Sequence, residues 1–356
     1  GLAGYALTAT FGPSMGTPLA ALWVEHAGWQ FAFWQIVPFC VAGMLMVGWG
    51  LPQDPLRLER FAQFNGVGLA LGFPALVMLV LGLTQGARLG WFDSPLITAL
   101  LGGGAGLLVL FFINEWFHPL PFFKLQLLAH RNLSYALVTC MGVLFVLLAV
   151  ISIPSGFLAS VQGYRPLQTA PMLLWVALPQ ALALPLVATL MNQRAVDCRW
   201  VQATGLVLLA AACFIGAHLD VQWNRDNFLW VQLLQVVAQP MAVLPLLLLA
   251  TTGLAPQDGP YASAWFNTVK GFSAVFAGGV LDAVGQSRRH LHSTALVDHL
   301  GNQPWLPASA DLPARLHAQV QALTSADLYW LVALVALGCL PLLPWATRVH
   351  PPRAVA

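Results

Sequence analysis

Charge is what this 356-residue chain has least of. Asp, Glu, Lys and Arg make up 8 % of it, while hydrophobic types make up 58 %. An ordinary soluble domain carries about 25 % charged residues. A chain with so little polar side chain cannot cover itself in water, so lipid must be its outer solvent. That excludes a soluble enzyme and a disordered tail. The formal net charge is only +2, so no basic stripe exists to follow phosphates and no nucleic-acid partner is expected. The five cysteines, Cys40, Cys140, Cys198, Cys213 and Cys339, are scattered and form no CxxC. They suggest neither a disulfide framework nor a zinc site and read as small apolar packing residues. HExxH, GxSxG and Walker loops are missing as well. No cofactor, metal or catalytic activity is therefore expected. Gly1 stands inside an apolar run with no basic leader region before it, so the chain reads as a cut through a longer protein.

What is present is a succession of long apolar runs. A helix needs about 20 mostly apolar residues to cross a hydrocarbon core about 30 Å thick. Runs at 3–24, 29–51, 66–86, 95–117, 133–158, 167–191, 200–219, 227–252, 261–284 and 327–347 meet that length. They are apolar on nearly every face rather than alternating, which predicts helices and excludes a lipid-facing barrel. The fold class is thus all-α and integral to the membrane, with about ten transmembrane helices. The chain holds 31 glycines and 25 prolines, which membrane helices tolerate for close packing and kinks. Gly102, Gly103, Gly104 and Gly106, and later Gly278 and Gly279, predict close helix contacts.

Lys and Arg in short loops set the orientation. Arg57, Arg60, Lys124, Arg131, Arg194, Arg199, Arg348 and Arg353 fall on one side. Arg88, Arg165 and Arg225 fall in the short loops of the other. The excess predicts a cytoplasmic C-terminus. A long outer loop is expected at about 286–326, with short surface helices possible at 288–300 and 311–324. It carries Pro304, Pro307, Pro313 and several histidines. The pair His290 and His292 reads as solvated rather than metal-binding.

Charges within spans are costly and mark candidate function. Lys270 lies about ten residues into the run 261–284, roughly 15 Å deep at 1.5 Å per residue. It either snorkels along its stem or faces a central cavity, where it would meet an anionic group. Asp282, Glu115, Glu25 and His26 read as interface residues. Gln232, Gln235 and Gln239 are spaced to share one helix face, which predicts that they point at protein or a wet cavity. Asn267 is a further polar residue on the helix of Lys270.

The first run contains Thr8-Ala9-Thr10-Phe11-Gly12-Pro13-Ser14-Met15-Gly16-Thr17. It resembles the antiporter motif GxxxGPxxGG of the major facilitator superfamily, with Gly12, Pro13 and Gly16 matching and Thr8 and Thr17 in place of glycines. Trp29, Phe33 and Pro38 resemble that family's WRWIFxxNxP entry to its sixth helix, with Gln30 and Ile36 departing. Pro121 to Asn132 resembles PxxDLxLFxxRN. Gly163-Tyr164-Arg165-Pro166-Leu167-Gln168 resembles GYSPLQ, and Asn267-Thr268-Val269-Lys270 resembles NxxR with lysine for arginine. Together they are similar to the fourteen-helix drug:proton antiporter (EmrB/QacA-like) branch.

The resemblance implies a polytopic helical bundle of the major facilitator type lacking that branch's first four helices. Residues 1–51 would be the last two helices of an incomplete N-terminal bundle and 52–118 two extra linker helices. Residues 119–356 would form a C-terminal six-helix bundle. It implies proton-coupled efflux of drug-like or amphipathic small molecules across the cytoplasmic membrane by the full-length form. The alternatives are an uptake carrier of the same fold or a remnant without transport activity alone. Gly12, Pro13 and Gly16 would be structural, and Lys270, Asn267, Gln235 and Gln239 would line the substrate cavity. Small-molecule substrate, protons and the lipid bilayer are the implied partners, with a periplasmic adaptor protein touching the long outer loop. The implied location is a bacterial inner membrane.

Overall fold

The computed structural model describes residues 2–50, 63–193, 196–301 and 311–348, with the side chains of residues 2–11, 13 and 14 outside the description. Arg57, Arg60, Arg194, Arg353, Pro304, Pro307 and the expected domain boundary at 51/52 also lie outside it. Among the described residues the secondary structure is helix and turn, without strands. The helices are α1 (Leu2–His26), α2 (Trp29–Trp34), α3 (Ile36–Gly50), α4 (Gly66–Leu89), α5 (Pro95–Phe117), α6 (Arg131–Val161), α7 (Pro166–Met191), α8 (Cys198–Gly216), α9 (Leu229–Thr251), α10 (Gly259–Gly301) and α11 (Leu312–Gly338). Each of the ten apolar runs falls on a helix or, for 29–51, on the pair α2–α3. Eight of these segments are long and apolar enough to cross a membrane; the helices of the first and ninth runs, α1 and α10, are not among the eight. The protein is an all-α, multi-pass membrane protein.

In lipid every backbone polar group must find its partner within the segment, which selects helix. Hydroxyls on these helices turn inward on the same ladder. Ser155 Oγ donates to Ile151 O at 2.7 Å, Thr204 Oγ1 to Trp200 O at 2.9 Å and Thr251 Oγ1 to Leu247 O at 3.0 Å. This hides the hydroxyl without a tertiary partner.

The core sits around α6 and α9, the most deeply buried of the long apolar helices. α6 packs against α9, α10 and α11; α9 packs against α7 and α8; α1 lies across α7 and α9. α4 and α5 pair with each other, and α4 rests on α10. α2 and α3 bury none of their residues within the chain.

Two close approaches depend on glycine. A Cβ at Gly205 of α8 would sit 2.6 Å from Ala242 N and 2.7 Å from Met241 C on α9. One at Gly216 would strike the ring of Tyr329 on α11 at 2.7 Å. Small residues let such helices meet backbone to backbone. Of the expected contact glycines, Gly104 abuts Leu79 and Met78 on α4, Gly103 abuts Met78, and Gly279 abuts Leu83. A Cβ at Gly102, Gly106 or Gly278 would meet nothing within 4 Å among the described residues.

The stretch 286–326 differs from the loop expected there. α10 runs 43 residues to Gly301, and α11 already begins at Leu312. At 1.5 Å per residue α10 is about 65 Å long, twice what the hydrocarbon needs. The sequence contains no proline between Pro260 and Pro304, so nothing breaks the helix where the apolar run stops. The surface helices expected at 288–300 and 311–324 are thus extensions of α10 and α11, which pack together. His292 Nε2 lies 2.8 Å from Asp327 Oδ2, and Arg288 Nε lies 3.7 Å from the same oxygen. α11 ends at Gly338, and a 3₁₀ segment, Leu340–Trp345, follows it.

Candidate functional site

The glutamines of α9 face inward, as their spacing predicts. Gln232, Gln235 and Gln239 are all buried, and so is Gln180 of α7. Prolines on these helices, Pro179, Pro185, Pro240 and Pro245, leave carbonyls without their usual donors. The four amides form one chain. Gln180 Nε2 donates to Gln239 Oε1, Gln239 Nε2 to Gln235 Oε1 at 3.0 Å, and Gln235 Nε2 to Gln232 Oε1 at 3.3 Å and Val231 O at 3.2 Å. Both ends of the chain are unsatisfied: Gln180 Oε1 lacks a donor and Gln232 Nε2 lacks an acceptor. Buried polar atoms without partners are uncommon and costly. The row therefore offers one acceptor and one donor to water or to a ligand group. In this conformation it is closed inside protein.

The residues of α10 stand elsewhere. Asn267 is exposed, donates to Ser263 O at 2.9 Å and to Ser263 Oγ at 3.2 Å, and lines a cavity of about 450 Å³. The opposite wall is the C-terminal end of α9 and the turn after it, from Leu247 to Pro256. Eight residues, about 12 Å of helix, separate Leu247 from Gln239. Lys270 is half-buried one turn beyond Asn267. The four residues expected to share a cavity wall thus fall into two places, a buried amide row and a more open α10 face. Gly12 and Gly16 are both exposed, and a Cβ at either would meet nothing within 4 Å among the described residues. Pro13 lies within α1.

A third polar cluster was underweighted by the sequence. Glu115, on the last turn of α5, is 1 % exposed and is the one charged residue among the buried described residues. Its Oε1 accepts from Asn65 Nδ2 at 2.6 Å and its Oε2 from Phe123 N at 2.7 Å. Asn65 caps α4 by accepting from Gly68 N at 2.8 Å, and it also accepts from Asn114 Nδ2 at 2.9 Å. Phe123 in turn stacks edge-on with Trp265 of α10, whose Nε1 donates to Lys124 O. Lys124 Nζ pairs with Asp258 Oδ1 at 2.8 Å. The carboxylate therefore latches α4 and α5 to the segment leading into α6, and that segment to α10. The motif Pro121–Asn132 signalled a junction, but no spacing rule links Asn65 to Glu115.

The basic loop before α8 is organised by Asp197. Its carboxylate caps α8 by accepting from Arg199 N at 3.0 Å, pairs with Arg199 Nη2 at 2.9 Å and lies 3.9 Å from Arg348 Nε. Burial opposes ionisation, yet the Arg199 hydrogen bonds and the charges of Arg199 and Arg348 outweigh it and hold the acid below its ordinary range. On the other side of the bundle, the turn before α7 uses Gly163 at φ +66°, and Arg165 Nη1 lies 3.7 Å from Glu25 Oε1 at the end of α1. A glycine accepts this left-handed backbone at no steric cost. No group of three or more His, Cys, Asp or Glu suited to a metal occurs among the described residues.

No family model matches the chain. Individual proteins do. An uncharacterised MFS-type transporter of Mycobacterium tuberculosis is 27 % identical over 288 residues, covering 78 % of this chain and 46 % of that protein. The multidrug export protein EmrB of Escherichia coli K12 is 24 % identical over 305 residues, covering 83 % of this chain and 58 % of EmrB. A putative multidrug resistance protein MdtD of Escherichia coli is 31 % identical over 127 residues, covering 35 % of this chain and 26 % of that protein. The chain spans about half the length of the first two. With the all-α multi-pass fold, these matches make the chain similar to MFS-type transporters, among them proteins named for multidrug export.

Proposed function

We propose that the protein serves proton-coupled efflux of drug-like or amphipathic small molecules across the cytoplasmic membrane, with the C-terminus in the cytoplasm. The observation that carries this is the alignment of about four-fifths of the chain with a protein named for multidrug export. The structure supports it with polar groups held inside an apolar bundle. Transporters of this kind rock two bundles about a site near the bilayer midplane. The amide row of Gln180, Gln239, Gln235 and Gln232 supplies neutral donors and acceptors that orient a substrate without demanding a charge. Lys270 and Asn267 supply the cationic wall on α10. The exposed Gly12 and Gly16 on α1 offer a smooth face against which another helix can slide. The 1–51, 52–118 and 119–356 divisions act as part of one bundle, a linking pair and the second bundle. The extended α10–α11 arm is the surface on which a periplasmic adaptor would rest.

The test is uptake of an uncharged fluorescent amphipathic dye into everted inner-membrane vesicles energised to acidify their lumen, the direction that corresponds to export from the cell. Lys270→Ala at normal membrane abundance should lose most transport. Unchanged transport removes Lys270 from the cavity assignment. Transport insensitive to collapse of the proton gradient removes the coupling.

A further inference from the structure

About 40 Å along α10 from Asp258, a second polar feature opens where α4 ends and where α10 and α11 leave the apolar stretch. It is a cleft of about 570 Å³, and Arg88, Arg289, His290, His317, Ser293 and Gln321 are among the residues that line it. No acidic residue is among the described residues that line it. Arg88 comes from the last turn of α4, Arg289, His290 and Ser293 from α10, and His317 and Gln321 from α11.

The distribution of ion pairs around it is uneven. Arg288, one residue away, pairs with Asp327, which also binds His292. Arg88 and Arg289 have no ion pair among the described residues. A basic residue in a last turn is favoured by the helix dipole, which accounts for Arg88. It does not account for Arg289, in the interior of a 43-residue helix. Arg88 and Arg289 are exposed, so water screens their repulsion; what the cleft offers is two guanidinium groups from two helices converging on one opening. Guanidinium forks match the oxygens of a phosphate in pairs, and the hydroxyl and amide supply further donors. Leu89 and Leu291, next in sequence to the lining residues Arg88 and His290, are exposed apolar side chains.

We infer that this cleft binds a phosphate oxyanion, presented either by an anionic lipid headgroup or by free phosphate. Nothing in the efflux reading requires it, so the two stand or fall separately.

The experiment uses the full chain, purified and delipidated in a neutral detergent, with thermal unfolding followed against added ligand. The probes are phosphatidylglycerol, phosphatidylcholine as the zwitterionic control, and inorganic phosphate. Phosphatidylglycerol or inorganic phosphate should raise the midpoint where phosphatidylcholine does not. Arg88→Gln with Arg289→Gln should weaken the apparent affinity by roughly tenfold or more. Arg288→Gln, outside the lining, should leave it unchanged. A response to phosphatidylglycerol alone assigns a lipid headgroup, and a response to inorganic phosphate assigns a soluble ion. No rise with either probe overturns the inference. So does a rise that phosphatidylcholine reproduces, or one that survives in the double variant. The double variant's own midpoint without ligand shows that it is folded.

Discussion

Glu115→Gln isolates the latch that ties α4, α5 and the segment before α6. The substitution keeps the side chain's size and removes one acceptor. Both native contacts come from donors, Asn65 Nδ2 to one oxygen and the Phe123 N–H to the other. An amide can accept from only one and must turn its own NH₂ toward the other. Asn65 cannot rescue the pair by flipping, because its Oδ1 already accepts from Gly68 N and Asn114 Nδ2. One buried donor is therefore orphaned whichever way the substituted amide turns, at a cost of about 1–3 kcal/mol. The loss should be local, because the latch lies at the end of the α4–α5 pair. Amide hydrogen exchange in detergent should speed by roughly five- to a hundredfold at Gly68 and Phe123, with the interior of α9 unchanged. Glu115→Asp, which keeps both acceptors on a shorter stem, should fall between. Exchange at Gly68 and Phe123 identical to wild type in Glu115→Gln would refute the reasoning, since it would mean that the carboxylate holds neither Phe123 N directly nor the Gly68 amide through Asn65.

Gly205→Ala should destabilise the α8–α9 contact by about 1–3 kcal/mol, read as a lowered unfolding midpoint, because its Cβ would press on Ala242 N at 2.6 Å. Gly106→Ala, which meets nothing within 4 Å, should be neutral in the same assay. Replacing Gln180 and Gln239 together by Leu removes one bonded pair but leaves Gln235 Oε1 without its donor, so stability should fall by no more than about 1–3 kcal/mol. It should nonetheless abolish efflux in vesicles; full efflux in that variant would remove the amide row from the substrate path. Asp197 is depressed in the folded state, so its contribution is present above the ordinary carboxylate pKa and is lost as pH falls through the lower folded value. Asp197→Asn should therefore narrow the stability difference between neutral and acidic pH, measured by thermal unfolding across that range.

The helices were legible because lipid makes one demand of each segment, length and apolarity, and the sequence states both. Their ends were legible where a breaker stands, as at Gly163-Tyr164-Arg165-Pro166, and illegible where polarity changed without one. At Gln286 the composition turns wet while the backbone has no reason to stop, so α10 continues to Gly301. The i, i+3, i+7 spacing of the α9 glutamines told which way they face, because helical period is local. It could not tell that Gln180, 59 residues away from Gln239, would complete their chain, or that Asn267 would open onto a different cavity. Glu115 shows the same limit from the other side. A lone acid at a helix end looks like an interface residue until Asn65 and Phe123 are seen converging on it. Local pattern fixes direction; pairing across helices depends on which faces the packing brings together. That is why the testable chemistry of this protein lies in contacts such as Gln180–Gln239 and Asn65–Glu115.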